Sequence, residues 1–501
     1  MIETANLLLE NQSLQEKLSQ SQKENEQIKS QVAFLKYQLE DLRRKIFGVK
    51  SERHVSLTES GQLSLLNIPV EESTPPVQTV KVEEHERQQK KEKAKHPVRS
   101  PFPSHLPREE YIIYPDGYDA STTEVPIGEE VTEILEEVPG KFFVKVIRRL
   151  KFATKTNGIV IGNLPTRPIE KGLFGENLIA RVLIDKYCDH LPLYRQQQRF
   201  TRAGITLASS TLGDIPRQSA QLMELLHQEA IRQTLSCNYL QVDETPHPVQ
   251  DSKVKGKTHR GFLWVYRSVE KRLVLFDYRE GRGREGPQQL LKDYKGFIQT
   301  DGYGVYDLFE NREGITLTGC MAHARRYFEK ALTNDKARAD YFITQVQLLY
   351  AVERRIREEQ MNEEQILFIR KEHSLPVLNE LEKWLKENII QTTPATPIGK
   401  AIAYALSRWE KLTAYAHEPI LEIDNNLVEN AIRPTVIGRK NYMFSGSHDG
   451  ARRSAMMYSF VGSCKMNGIN PQEWFPDVLL KLPDTKASQL FTLLPNYWKK
   501  G

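Results

Sequence analysis

Apolar residues at the start of the chain recur with a period of seven. Leu7, Leu14, Ile28, Leu35 and Leu42 share one heptad position with Ser21. Leu18, Val32, Leu39 and Ile46 share the position four further on with Asn11 and Asn25. This pattern over residues 1–47 predicts a coiled coil, whose inward asparagines set register and favour a two-stranded assembly. Gly48 ends it. Residues 48–107 are poor in large apolar side chains and carry runs such as STPPVQ and KVEEHERQQKKEKAK, which predict a flexible linker.

A period of two follows. EEVTEILEEVPGKFFVKVIRRLKFAT alternates about a Pro-Gly turn, so 108–172 reads as a small β module. From 173 to 234 the period becomes helical. LPLYRQQQRFTRAGITLASSTLGDIPRQSAQLMELL predicts a helix, a short turn containing Gly204, and a second helix opened by Ser209 or Ser210. That is a helix-turn-helix outline, which a plain helical hairpin shares. The cluster Arg195, Arg199, Arg202 and Arg217 favours DNA.

Residues 235–330 change to strands. CNYLQVDETPHPV, GFLWVYRSVEK and RLVLFDYRE are three consecutive candidates, followed by a short helix carrying Pro287 and by FIQTDGYG and GITLTGCMAHA. A three-strand meander, a helix and two further strands is the order of an α/β ribonuclease H-like core. Residues 331–418 are amphipathic helical stretches and look like an insertion. Residues 419–501 return to the core and add a tail.

Three acids stand out on this frame. Asp243 and Asp301 are read as lying at strand ends, and Glu429 on a helix that Asp424 caps and Pro434 ends. Asn425, Asn426 and Arg433 share the Glu429 face. Carboxylates from two strands and a helix suit magnesium, a hard ion that keeps positions open for water and substrate. Two such ions can drive phosphodiester chemistry. From spacing alone, Asp424 could replace Glu429 as the ligand.

Composition narrows the class. The chain has 501 residues, 39% hydrophobic, with 70 Lys and Arg against 65 Asp and Glu, a net charge of +5. That length suggests two to four domains. No apolar run approaches a membrane span, and MIETANLLLENQ has no basic region leading into an apolar one, so no secretion signal and no membrane partner are expected. Cys188, Cys237, Cys320 and Cys464 are scattered, which suits reduced thiols. GRGREG at 281–286 matches a dinucleotide fingerprint by letters, but no βαβ unit of the right length follows. Arg325 and Arg326 in MAHARRYF, Arg433, and Arg439 and Lys440 beside Tyr442 and Phe444 are further candidate DNA contacts. For His323 a buried structural role is the alternative, and for the two aromatics core packing.

The sequence resembles transposases of the insertion sequence 66 family over nearly its whole length. The stretches that carry the resemblance are LRRKIFGVKSER, KYCDHLPLYRQ, VDETP, GFLWVYR, QTDGYGVYD, GCMAHARRYF, DNNLVENAIRP, GRKNYMFSGS and NGINP. The resemblance implies a DDE triad in a ribonuclease H-like core, and it falls on Asp243, Asp301 and Glu429. It implies Mg2+, with Mn2+ able to substitute. Such proteins usually carry a cysteine-paired zinc module before the helical block. Here YDASTTEVPIGEE and KFATKTNGI hold no cysteine, so no zinc is expected.

The expected function is therefore a transposase. It would bind the terminal inverted repeats of its element and cleave and join double-stranded DNA at element ends and target. The coiled coil would make it a homodimer or higher oligomer, with helper proteins of the same element as further partners. The expected setting is the bacterial cytoplasm, on the nucleoid. The rivals are a nuclease or resolvase of the same fold that never joins strands, and a silent DNA-binding dimer acting as a repressor.

Overall fold

In the computed structural model the described residues are 102–115, 126–138, 140–154, 158–169, 172–251 and 256–500. The expected coiled coil, most of the expected linker, and parts of both segments where zinc-binding cysteines would stand lie outside them. The last linker residues are packed: Leu106 is buried and Phe102 leans on the same core.

The β module is a sheet of β1 (Arg108–Ile113), β2 (Pro126–Val138), β3 (Lys141–Thr154) and β4 (Gly158–Ile161). β3 pairs antiparallel with β2 and β4 and parallel with β1. Alternation sends Leu135, Val144 and Val146 inward, where they meet α1 (Glu176–Tyr187). The opening of α1 is stitched to β2, since Gly175 N–H donates to Leu135 O at 3.0 Å. A side chain at Gly175 would collide with the Glu136 carboxylate, so this close approach requires glycine.

α1 is buried on most of its surface. α2 (Leu193–Arg202) buries only Gln196 and Phe200, then Gly204 turns the chain at φ +78° into α3 (Ser209–Leu222). Ala208 occupies the cap position, so the second helix opens at Ser209 without a side-chain cap. α4 (Glu224–Leu235) leads to the second sheet.

That sheet has five strands: β5 (Tyr239–Gln250), β6 (Thr258–Ser268), β7 (Leu273–Arg279), β8 (Gly296–Gln299) and β9 (Ile315–Thr318). Their order is β7-β6-β5-β8-β9. The first three in sequence form an antiparallel meander, and β8 and β9 add in parallel beyond β5. The crossover from β7 to β8 contains the short α5 (Glu285–Leu290).

Helices cover both faces. After β9 come α6 (Met321–Ala331), α7 (Lys336–Glu358), α8 (Glu363–Ile369), α9 (Leu375–Ile389), α10 (Pro397–Ser407) and α11 (Trp409–Thr413). All of these but α8 contribute to one hydrophobic core, centred on Phe328, Phe342, Leu381 and Ile402. The chain returns as α12 (Asn426–Tyr442), α13 (His448–Asn467) and α14 (Pro471–Lys481). α13 seals the outer edge of β7. The hydroxyls of Ser459 and Ser463, one turn apart, accept the free N–H groups of Phe276 and Val274 at 2.8 and 3.0 Å.

Two local expectations differ. β5 does not end at Asp243. It runs on to Gln250 because β6 pairs with it along its whole further length, and Pro246 and Pro248 fall past the reach of β8. Nor does Pro434 end α12. The carbonyl it leaves without a partner belongs to exposed Asn430, while Val428, Ile432, Thr435 and Gly438 hold the helix by burial.

Candidate active site

The parallel pairing of β5 and β8 brings two acids level. Gln241 stands opposite Gln299, so Asp243 and Asp301 each lie two residues beyond the same rung. Along β5 two residues is one full pleat, which returns Asp243 to the face of Gln241. Asp301 follows Thr300 in the bend past the end of β8. Its carboxylate accepts the Tyr303 N–H at 2.8 Å, a turn in which Gly302 sits at φ +87°. Asp243 accepts the N–H of Glu244 at 2.7 Å.

The helical acid is docked onto these strands by a buried amide network that sequence reading missed. Gln241 donates to Asp424 O at 3.0 Å and to Gln299 Oε1 at 3.0 Å. Gln299 donates to Gly319 O and Glu422 O at 2.9 and 2.8 Å. Each glutamine stands two residues before a candidate aspartate and breaks an otherwise apolar strand. That polar interruption is the signal that could have found them. The network pins the segment leading into α12, and so the height of Glu429 above the sheet.

Asp424 is occupied differently. Its carboxylate accepts the Asn426 N–H at 3.0 Å and the Tyr350 hydroxyl at 2.6 Å. Asn425, rather than Asp424, takes the cap position, yet the Asp424 oxygen still satisfies the first helical N–H. Asn425 is fully buried, and its side-chain amide has no hydrogen-bond partner among the described residues.

Asp243 feels the other two candidate acids. Burial, then Glu244, Asp301 and Glu429, push the Asp243 carboxyl up to about 8. Glu429 is held elsewhere: both its oxygens accept from Arg326 Nη2, at 2.7 and 2.8 Å. Arg326 also reaches His323 Nε2 at 2.9 Å. Burial is the first reason the His323 pKa is lowered, followed by the charge of Arg326.

The donor set fits a hard divalent ion in kind: three carboxylates, two at one level of a sheet and one above it. Among the described residues no three ligating side chains are gathered closely enough to hold an ion.

The loop after Asp301 is held from the end of α10. Tyr404 donates to Asp301 O at 2.8 Å and Arg408 to Gly302 O at 3.2 Å. Tyr327 stacks on Tyr404 at 4.3 Å between ring centroids.

The arginines named from sequence have varied surroundings. Arg199 pairs with buried Asp185, Arg217 with Asp214, and Arg325 with Glu329. Arg195 leans on Tyr194 and reaches Asn441 at 3.5 Å. Arg202, Arg433 and Lys440 are exposed. Arg439 is partly buried near Tyr442 and Tyr458, and Tyr442 bonds Tyr458.

Comparison with known proteins gives the same direction. Residues 171–453 match the transposase IS66 family. The chain belongs to that family. Residues 35–110 match transposase C of IS166 homeodomain, and residues 459–496 the IS66 C-terminal element. The chain is similar to two proteins of Sinorhizobium fredii, uncharacterized protein y4hP and uncharacterized protein y4qI, at 30% and 31% identity. Each alignment covers 94% of this chain and 89% of the relative. Among the described residues no helix is long and apolar enough to cross a membrane.

Proposed function

We propose that this family member is a DDE transposase with a ribonuclease H-like core, in which Asp243, Asp301 and Glu429 are the catalytic carboxylates. The observation that carries the reading is the shared register: two acids two residues beyond the same rung, with a third close enough to raise the first. Asp243, Asp301 and Glu429 would hold Mg2+ or Mn2+. Bound there, the ions would supply charge neutralisation at the phosphate and an activated oxygen nucleophile.

The protein's own groups prepare the site. The glutamine network sets the height of Glu429, and Tyr404 and Arg408 hold the Asp301 turn from the insertion. Arg326 is placed to meet a phosphate when it leaves Glu429. Arg202, Arg433 and Lys440 offer exposed cations for the DNA backbone, and the α2–α3 pair is the proposed reader of terminal repeats. A coiled coil over 1–47 would pair protomers so that two ends are held at once, with helper proteins of the element as possible partners.

Asp243→Ala tests the reading. Cleavage of end-bearing duplexes and strand transfer from precut ends should both vanish, while end binding in a gel-shift assay stays intact. A mutant that still joins strands sinks the assignment. A wild type that cuts but never joins precut ends makes the protein a nuclease instead.

A further inference from the structure

The GRGREG loop, whose match to a dinucleotide fingerprint is by letters alone, reaches residues beside the two candidate aspartates. Arg282 Nε donates to Glu244 Oε1 at 3.0 Å, and its Nη2 donates to the same oxygen. The guanidinium lies over the Tyr303 ring, 3.7 Å from its centroid. Glu244 is the residue after Asp243, and its side chain is only 2% exposed. Its other oxygen accepts the Tyr306 hydroxyl at 2.9 Å. Tyr306 in turn packs edge-on against buried Trp264.

A buried carboxylate with both oxygens committed is not free to bind a metal ion. It costs free energy to desolvate, and burial raises its pKa despite the partners. Such a group needs a reason for being there. Here the reason is connectivity. Glu244 belongs to the strand that carries Asp243. Tyr303 belongs to the turn that carries Asp301 and donates its N–H to that carboxylate. Arg282 touches both. β8 stops pairing with β5 at the Gln241–Gln299 rung, so no backbone ladder spans the gap between the two aspartates.

We propose that Arg282 and Glu244 are positioning residues, forming a side-chain clamp that replaces the missing ladder and fixes the spacing of Asp243 and Asp301. This rests on the reading of those aspartates as catalytic. The clamp joins segments through a bidentate-capable, flat cation, and that chemistry is specific to arginine. An ammonium would keep the charge and lose both the fork and the stacking face. Misplacing reacting groups by about 1 Å costs on the order of 100-fold in rate.

The test uses the full-length protein, duplexes carrying the terminal sequence of its own element, and Mn2+ alone as a spectroscopic probe. Arg282 is at the surface, so Arg282→Ala and Arg282→Lys should fold, as circular dichroism and melting would verify. Both should lower the single-turnover strand-transfer rate about 10- to 100-fold. The DNA concentration at half-maximal rate should stay within about twofold. Mn2+ binding followed by electron paramagnetic resonance should weaken about tenfold in both. A purely structural pair would move the melting temperature and leave Mn2+ affinity alone in the folded fraction. Lysine restoring rate and Mn2+ affinity, or alanine leaving both at wild-type values, overturns the clamp. Asp243→Ala runs alongside: if it transfers strands, the functional reading fails and the clamp fails with it. If it is inactive while the Arg282 variants behave as wild type, only the clamp fails.

Discussion

Arg326 occupies the carboxylate that the proposed chemistry needs. One of its nitrogens bonds both oxygens of Glu429, and another reaches His323. Glu429 is about a quarter exposed, so the pair is screened but not dissolved by water. Removing the guanidinium leaves a third uncompensated acid near Asp243 and Asp301, which raises the local demand for a cation. Arg326→Ala should therefore bind Mn2+ several-fold more tightly in DNA-free protein, and bind end DNA more weakly. Spectroscopic Mn2+ titration decides: weaker binding would mean that Arg326 aims Glu429 at the metal rather than withholding it. Residues at this scale were legible where type and position agreed. Asp243, Asp301 and Glu429 interrupt apolar patterns or sit on a capped helix. Glu244 and Arg282, 38 positions apart, carry no local mark of their contact. Gln241 and Gln299 carried one, as polar residues inside strands, but a lone glutamine says nothing about its partners.

Between elements, one buried acid shows what packing does to protonation. α1 begins at Gly175, which offers no capping side chain, and β2 supplies a substitute. Glu136 accepts the Leu178 N–H at 3.3 Å from across the interface and the Glu137 N–H at 3.0 Å. Burial pushes its carboxyl from 4.5 up to about 7. The folded chain thus keeps a proton that the unfolded chain releases. Its stabilising contribution is full below about pH 4.5 and is lost as pH rises through about 7, on the order of 3 kcal/mol in all. Glu136→Gln cannot ionise, so urea unfolding should show the variant gaining on wild type between pH 5 and pH 8. An unchanged difference across that range would mean that Glu136 keeps an ordinary pKa in the fold. Periodicity marked β2 and α1 as strand and helix. It could not show that they meet at the Glu136–Gly175 approach, because that depends on tertiary docking. The same holds for β5, whose extension past Asp243 is dictated by β6, and for α12, whose packing carries it through Pro434.

On the scale of the whole molecule, the helical insertion must be anchored for its grip on the Asp301 turn to matter. The anchor is a buried ion pair. Arg370 and Glu353, both about 3% exposed, meet at 2.7 and 2.9 Å. Arg370 also donates to the carbonyls of Tyr415, Glu418 and Leu421, at 2.6, 3.0 and 3.0 Å. Those carbonyls belong to the strand of chain that returns from the insertion to α12. One guanidinium thus ties α7, the turn after α8 and the approach to Glu429, with every partner satisfied. Taking away one member strands the other charge in a dry interior, which costs about 3–5 kcal/mol. Arg370→Met should lose that much in denaturant unfolding, with Glu353 left buried and unpaired. Adding Glu353→Leu should recover the share due to the stranded charge, but not the share of the three carbonyls left without a donor. Strand transfer should follow a different course. The double variant regains that share of stability without regaining the bonds to Tyr415, Glu418 and Leu421, so its rate should stay below wild type. Full recovery of rate with stability would show that the insertion needs only to be folded, and that its hold on the return segment does not set the position of Glu429. Sequence periodicity identified the insertion as helices, but amphipathic stripes specify only that a face is buried. They do not say that the arginine opening RKEHS would be the one to reach the returning chain.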